Sequence, residues 1–357
     1  MMIGSWRQWR YRLILAVLLG FLQGCSSLGY YSQSIGGHLQ LMGQRQPIAQ
    51  LLQDPGTPLP LKQKLQQIGA MRTFATEALG LPDNDSYRSY AALEREAVVW
   101  SVVAAPTYSM QPKQWCFLFV GCVSYRGYFS RERAARYAAE LQAQGLDVAV
   151  QPVPAYSTLG WFDDPLPSTV IQWPDARIAG LIFHELAHQQ LYVRNDSAFN
   201  EAFASLVEQE GVERWLGGRD GPTFMQWQES HRRERQLVDL LLSTRDALEA
   251  LYRQPLDAAL MAQRKAALFQ QLRERYTRLK QQWGGYGGFD GWFGGDLNNA
   301  HLASIATYEA RVPAFRRLLE QVGGDLPAFY AASRALGQLP ETVREERMQE
   351  LLREAGQ

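Results

Sequence analysis

His184, Glu185 and His188 stand close together in the stretch 178–193, IAGLIFHELAHQQLYV. On a helix, residues i and i+4 project from one face, so the two imidazoles can share one metal ion. Zinc suits them: imidazole nitrogen binds it at about 2.0 to 2.1 Å, and two ligands from one helix leave room for a third ligand and a water. Glu185, directly after the first histidine, is then placed to deprotonate that water. Ile178, Leu181, Ile182, Phe183, Leu186, Leu191, Tyr192 and Val193 cover nearly the whole circumference, which marks a buried helix. Buried His and Glu need partners, and a metal supplies one; a pair of purely structural histidines is the plain alternative.

The best third ligand by position is Glu201, thirteen residues beyond His188 in SAFNEAFASLVE. Asp196 or Ser197 can cap that segment as a helix, and Phe199, Phe203, Leu206 and Val207 recur at helical spacing to give it a core face. Ala198, Ala202, Ala204 and Ser205 surround Glu201, and such small residues let one helix approach another closely enough for a short carboxylate to reach the ion. Glu208 and Glu210 compete for the role on the same helix.

With these residues in view, His184, Glu185 and His188 followed by Asn200-Glu201-Ala202 resemble the zinc peptidases called gluzincins, of which thermolysin is the familiar member. The chain resembles more closely a bacterial family of predicted aminopeptidases, through YSTLGWFDDPLPST (156–169), HELAH (184–188), FNEAFA (199–204) and NNAHLASIATY (298–308). The resemblance implies one Zn2+ held by His184, His188 and Glu201, with Glu185 as general base and a peptide as substrate. The gap from His188 to Glu201 is shorter than in thermolysin-like enzymes. Ser205 stands where they carry an Asp that orients a ligand histidine, so that role is unassigned. Gluzincins hold extended substrate on an edge strand above the histidine helix, and residues 155–162 are expected to be that strand, with Trp161 facing substrate. Asp163 or Asp164 at its end, or Glu208, is placed to receive a substrate's free amino group. Gluzincins also stabilise the oxyanion with a Tyr or His from outside the histidine helix, a role open to His301 and Tyr308, seven residues apart on one helix face.

The rest of the chain must position these groups. Residues 1–24 read as an export signal: Arg7, Arg10 and Arg12 form a positive start, and Leu13 to Leu22 an apolar run too short for a spanning helix. Leu22-Gln23-Gly24-Cys25 resembles a bacterial lipobox, which makes Cys25 the lipid-bearing first residue of the mature chain. Ser26, rather than Asp, points to the outer membrane facing the periplasm. Cys116 and Cys122 then meet an oxidising compartment and are expected to form a disulfide.

Removing residues 1–24 leaves 33 basic against 36 acidic side chains, with no basic patch, which speaks against a nucleic-acid partner. At 46% hydrophobic over its full length, the chain can build a sizeable core; its oligomeric state is not legible.

The expected fold is α+β and mainly helical, with a small sheet beside the active-site helix and a long helical hairpin in the C-terminal half. A metallopeptidase domain of 25–357 divides into a sheet with the zinc-site helices (25–217) and a helical lobe (218–357). Periodicity places helices at 59–79 and 131–144, a buried strand at 97–105, a hairpin within 115–129 and a strand at 147–153. The helical hairpin is 224–252 with 257–283, and shorter helices follow at 312–320, 326–336 and 341–353. Between them GGYGGFDGWFGGD (284–296) has seven glycines and four aromatics, and reads as irregular and suited to a lid. Two other functions share these features: an envelope lipoprotein that keeps a structural zinc without catalysis, and a zinc endopeptidase.

Overall fold

The structure, a computed structural model of the chain, describes residues 29–117, 121–155, 157–158, 160–217, 221–303, 305 and 311–356. Residues 1–24, Cys25 and Tyr308 lie outside these. The fold is mainly helical α+β. It begins with helix α1 (29–43), strand β1 (Arg45–Pro47) and helices α2 (Ile48–Gln53) and α3 (Leu59–Glu77).

The larger sheet orders β6 (Arg126–Tyr128), β3 (Val99–Pro106) and β7 (Leu146–Val153), all antiparallel. Strand alternation sends Trp100, Val102 and Ala104 into one core with Ala134, Ala138 and Leu141 of α4 (Arg131–Ala143), while Val99 and Val103 face the other side. Both faces of β3 are covered, which is why its sequence is a continuous apolar run. Between them, β4 (Trp115–Phe117) and β5 (Gly121–Val123) pair with Cys116 opposite Cys122, and a disulfide joins the two. A second small sheet runs β1, β2 (Ser89–Ala91) and β8 (Leu166–Pro167), and β8 feeds through a short 3-10 turn into helix α5 (Asp175–Gln190).

Helix α5, with α6 (Ser197–Trp215), is the centre of the main core. Ile178, Ile182, Phe183 and Leu186 are fully buried against α3 and α6, and α11 (Val312–Gln321), α12 (Leu326–Gly337) and α13 (Glu341–Ala355) fold back onto the same core. The hairpin of α7 (Pro222–Tyr252) and α8 (Ala258–Gln282) has its own core of Leu237, Leu240, Leu241, Leu248, Phe269 and Leu272. Helix α10 (Asn299–Ala303) ties it to the sheet. Buried Asn299 donates to the carbonyls of Pro106, Thr107 and Ser109 and accepts from Tyr252 Oη, and Asp147 pairs with Lys265 at 2.5 Å.

Two segments differ from the sequence reading. The described residues of 155–162 are a turn, not a strand. Asp164 Oδ2 accepts from the Thr158 backbone N–H at 2.7 Å, and Thr158 Oγ1 accepts from Phe162 N–H at 3.0 Å. With Gly160 at φ +82, these bonds satisfy the backbone locally, in competition with a sheet ladder. The glycine-rich stretch is not wholly irregular either, since Asp290–Phe293 forms a short helix, α9. Phe293 is not held out as a lid: it stacks on Tyr276 at 3.8 Å, Arg273 donates to the Phe293 and Gly295 carbonyls, and Asp290 accepts from Tyr276 and Lys280, while Tyr286 is 40% exposed.

Candidate metal centre

The connection between α5 and α6 is fixed from both ends. Asn200 accepts from Val193 N–H at 2.7 Å and donates to Val193 O at 2.8 Å, while Asp196 caps α6 through Phe199 N–H. Arg344 and Arg311 hold that capping carboxylate at 2.9 and 3.2 Å. Glu201 therefore enters the first turns of a clamped helix.

Glycine sets how near the two helices lie. A Cβ on Gly180 would sit 2.9 Å from Glu208 Oε1, and one on Gly211 would sit 2.7 Å from the Phe183 ring. Across this contact His184 Nε2, His188 Nε2 and Glu201 Oε2 converge, with separations of 3.2 Å between the nitrogens and 3.3 and 3.6 Å from them to the oxygen. Ligands at about 2.0 to 2.1 Å in tetrahedral array lie roughly 3.3 Å apart, so the three atoms have the spacing of one face of a zinc tetrahedron. Among the described residues, these are the group of His, Cys, Asp or Glu able to hold a metal ion.

The electrostatics agree. His184 Nδ1 is 3.1 Å from Glu208 Oε2, which in the neutral tautomer assigns the proton to Nδ1 and leaves Nε2 as a lone pair facing the other two ligand atoms. Burial pushes the His184 pKa down, but hydrogen bonds to Glu201 and Glu208 outweigh it and hold the pKa well above the usual histidine value. Burial likewise pushes Glu201 up, and its hydrogen bonds to the two histidines overcome that to hold it at about 2. A cation is thus favoured among these groups, either a proton on His184 or a metal that displaces it.

Glu208, one helical turn beyond Ser205 on α6, bonds the His184 ring in the space that Gly180 leaves. Gly180→Ala is expected to push the Glu208 carboxylate off His184 and to weaken metal affinity roughly 10- to 100-fold, with Glu208→Gln giving a similar loss. Competition against a chelator of known affinity measures this; unchanged affinity in both variants would remove Glu208 from the role.

Glu185 is half-buried beside Tyr87, Asp164 and Tyr125, whose pKa values all respond to its charge. Tyr87 is buried at φ +63, a strained conformation for a non-glycine residue, in a loop that Arg72 holds by bonds to Pro82, Asn84 and Ser86 carbonyls. Asn84 in turn donates to Gln189 of α5 at 2.6 Å. Tyr125 is 46% exposed, and desolvation, then the charges of Glu201 and Tyr192, raise its phenol pKa. Sequence reading missed Tyr87, Arg72 and Tyr125. Of these only Arg72, a lone charge on the inner face of α3, left a signal.

The other expected residues lie outside the converging group. Trp161 is 75% exposed, next to the Gly160 turn, and Asp163 is half-buried, its carbonyl facing Arg45. His301 lies near the start of β7, bonded to Asn298 and edge-on to Trp292. None of these contacts brings it to His184 or Glu201.

Asp164 is fully buried, and desolvation raises its pKa to about 6 despite the Thr158 bonds that favour the anion. Its Oδ1 has no hydrogen-bond partner among the described residues. The folded state thus prefers the neutral acid. That stabilisation is complete below the ordinary value of 3.8 and is lost as pH rises through about 6. It amounts to at most about 3 kcal/mol. Asp164→Asn is expected to flatten the fall in stability between pH 4 and 7, read as urea midpoints; an identical pH dependence in both proteins would contradict this.

A family model described as "Putative aminopeptidase" matches residues 29–348. No curated protein and no solved structure matches the chain.

Proposed function

The chain belongs to the putative aminopeptidase family, and from that premise we propose that it is a zinc-dependent aminopeptidase of the bacterial envelope, anchored to the outer membrane through lipid on Cys25 and facing the periplasm. The observation that carries the zinc reading is the convergence of His184 Nε2, His188 Nε2 and Glu201 Oε2 within 3.6 Å, with Glu208 behind His184. When bound there, zinc supplies Lewis acidity, polarising a peptide carbonyl and making water available as a nucleophile near neutral pH. The chain's own residues do the rest. Glu185, next to the first ligand on α5, takes the proton from water at its carboxylate and returns it to the leaving amine. Tyr125, kept protonated and close enough to Glu201 to feel its charge, is the phenol we assign to the developing oxyanion.

Of the carboxylates expected to hold a substrate ammonium, Asp164 is enclosed and Glu208 is engaged with His184, which leaves Asp163 as the accessible one. An ammonium bound this way contributes about 2 kcal/mol or more, so acetylating the N-terminus of a peptide should lower kcat/KM at least about thirty-fold. Parallel rates on free and acetylated peptides decide it. Internal cleavage of the acetylated series at comparable rates would make the protein an endopeptidase.

A further inference from the structure

Helix α1 has a solvent face without charge. Its residues 29–43 include no Asp, Glu, Lys or Arg, although a water-facing helix usually carries them. The inner face is fixed: Gln33 donates to Gly127 O and accepts from Phe129 N–H, Leu41 is buried, and a Cβ on Gly37 would collide with the Phe129 ring at 2.1 Å. Opposite, at the same i, i+4, i+8 spacing, Tyr31, Ile35 and Leu39 are 39, 59 and 63% exposed. Ser32, Gly36, Gln40 and Gly43 flank them, all exposed. The His38 ring also lies 4.7 Å from that of Phe162, which with Trp161 extends exposed apolar surface to the turn beside α5.

We propose that this face of α1 rests on the lipid bilayer, with Tyr31, Ile35 and Leu39 in the boundary between headgroups and acyl chains. The proposal rests on the reading of Cys25 as a lipid carrier. The described residues begin at 29, and Cys25 precedes Tyr31 by six residues, a span of at most about 20 Å. A lipid on Cys25 therefore keeps α1 at the membrane surface, where a second apolar contact turns reversible attachment into a stable one. Among the described residues, no helix is long and apolar enough to cross a membrane, so α1 lies along the surface. The absence of lysine and arginine makes the contact apolar rather than a salt-dependent attraction to acidic lipid. It also sets Trp161 and Phe162 beside the bilayer.

The test uses the full chain in isolated membranes. Cys116 and Cys122 are joined, and a lipidated Cys25 has no free thiol, so Ile35→Cys introduces a single reactive one. A membrane-impermeant maleimide should label it at least tenfold more slowly in membranes than after detergent, while Leu59→Cys, at a site 67% exposed elsewhere, should label equally in both. Equal labelling of Ile35→Cys with and without detergent overturns the proposal. Protection that persists in detergent assigns the face to a protein surface and overturns it too. The mass of the N-terminal peptide decides lipidation separately: an unmodified Cys25 removes the anchor reading, while protection of Ile35→Cys in the same membranes still decides the face.

Discussion

Replacing Glu185 with Gln is expected to lower kcat/KM for peptide hydrolysis by roughly 10²- to 10⁴-fold, the usual contribution of a positioned general base, while leaving bound metal unchanged. The separation of the two effects follows from the geometry. Glu185 is not among the three converging ligand atoms, and the amide of Gln keeps the size and polarity of the carboxylate while losing its capacity to accept a proton. The loss should appear mainly in kcat, because the proton is transferred in the transition state and not on binding. Steady-state kinetics with zinc content measured on the same sample check it. A Gln variant with more than a tenth of wild-type activity would move the base elsewhere.

His184→Ala should have the larger effect on metal. It removes a ligand and strands two carboxylates: Glu201, whose pKa of about 2 depends on hydrogen bonds to the histidines, and Glu208, whose partner is His184 Nδ1. Zinc affinity should fall more than about 100-fold, beyond the range seen when only a ligand's hydrogen-bond partner is lost. Thermal unfolding gives a readout independent of catalysis. Zinc at a thousandfold excess over its dissociation constant stabilises the wild type by about 4 kcal/mol, and the same concentration should leave His184→Ala nearly unmoved. Equal stabilisation of both would place the metal elsewhere.

What could be read from the sequence, and what could not, divides on local against tertiary causes. The i, i+4 spacing of His184 and His188 is a property of one helix, and the small residues around Glu201 announced a close helix contact, so the three converging side chains were legible. Glu208 was visible only as a rival ligand. Its bond to His184 depends on room left by Gly180 on the other helix, one turn before His184, and a glycine in an otherwise apolar helix was the available signal. The 155–162 segment has the residues of a strand, but a buried carboxylate two residues beyond it captures the Thr158 N–H and bends it into a turn. In the glycine-rich stretch, Phe293 and Phe289 are drawn against Tyr276 and Trp283, which only the folded hairpin brings beside them. Tyr87 and Tyr125 feel the charge of Glu185 from loops whose course no periodicity encodes.

Metal content and peptide hydrolysis of the purified full chain, before and after chelation and again on adding back zinc, test the zinc centre most directly. The expected result is one zinc per chain, loss of hydrolysis when it is stripped, and recovery with one equivalent. Hydrolysis that survives complete removal of the metal, or a chain that binds no zinc, would contradict it.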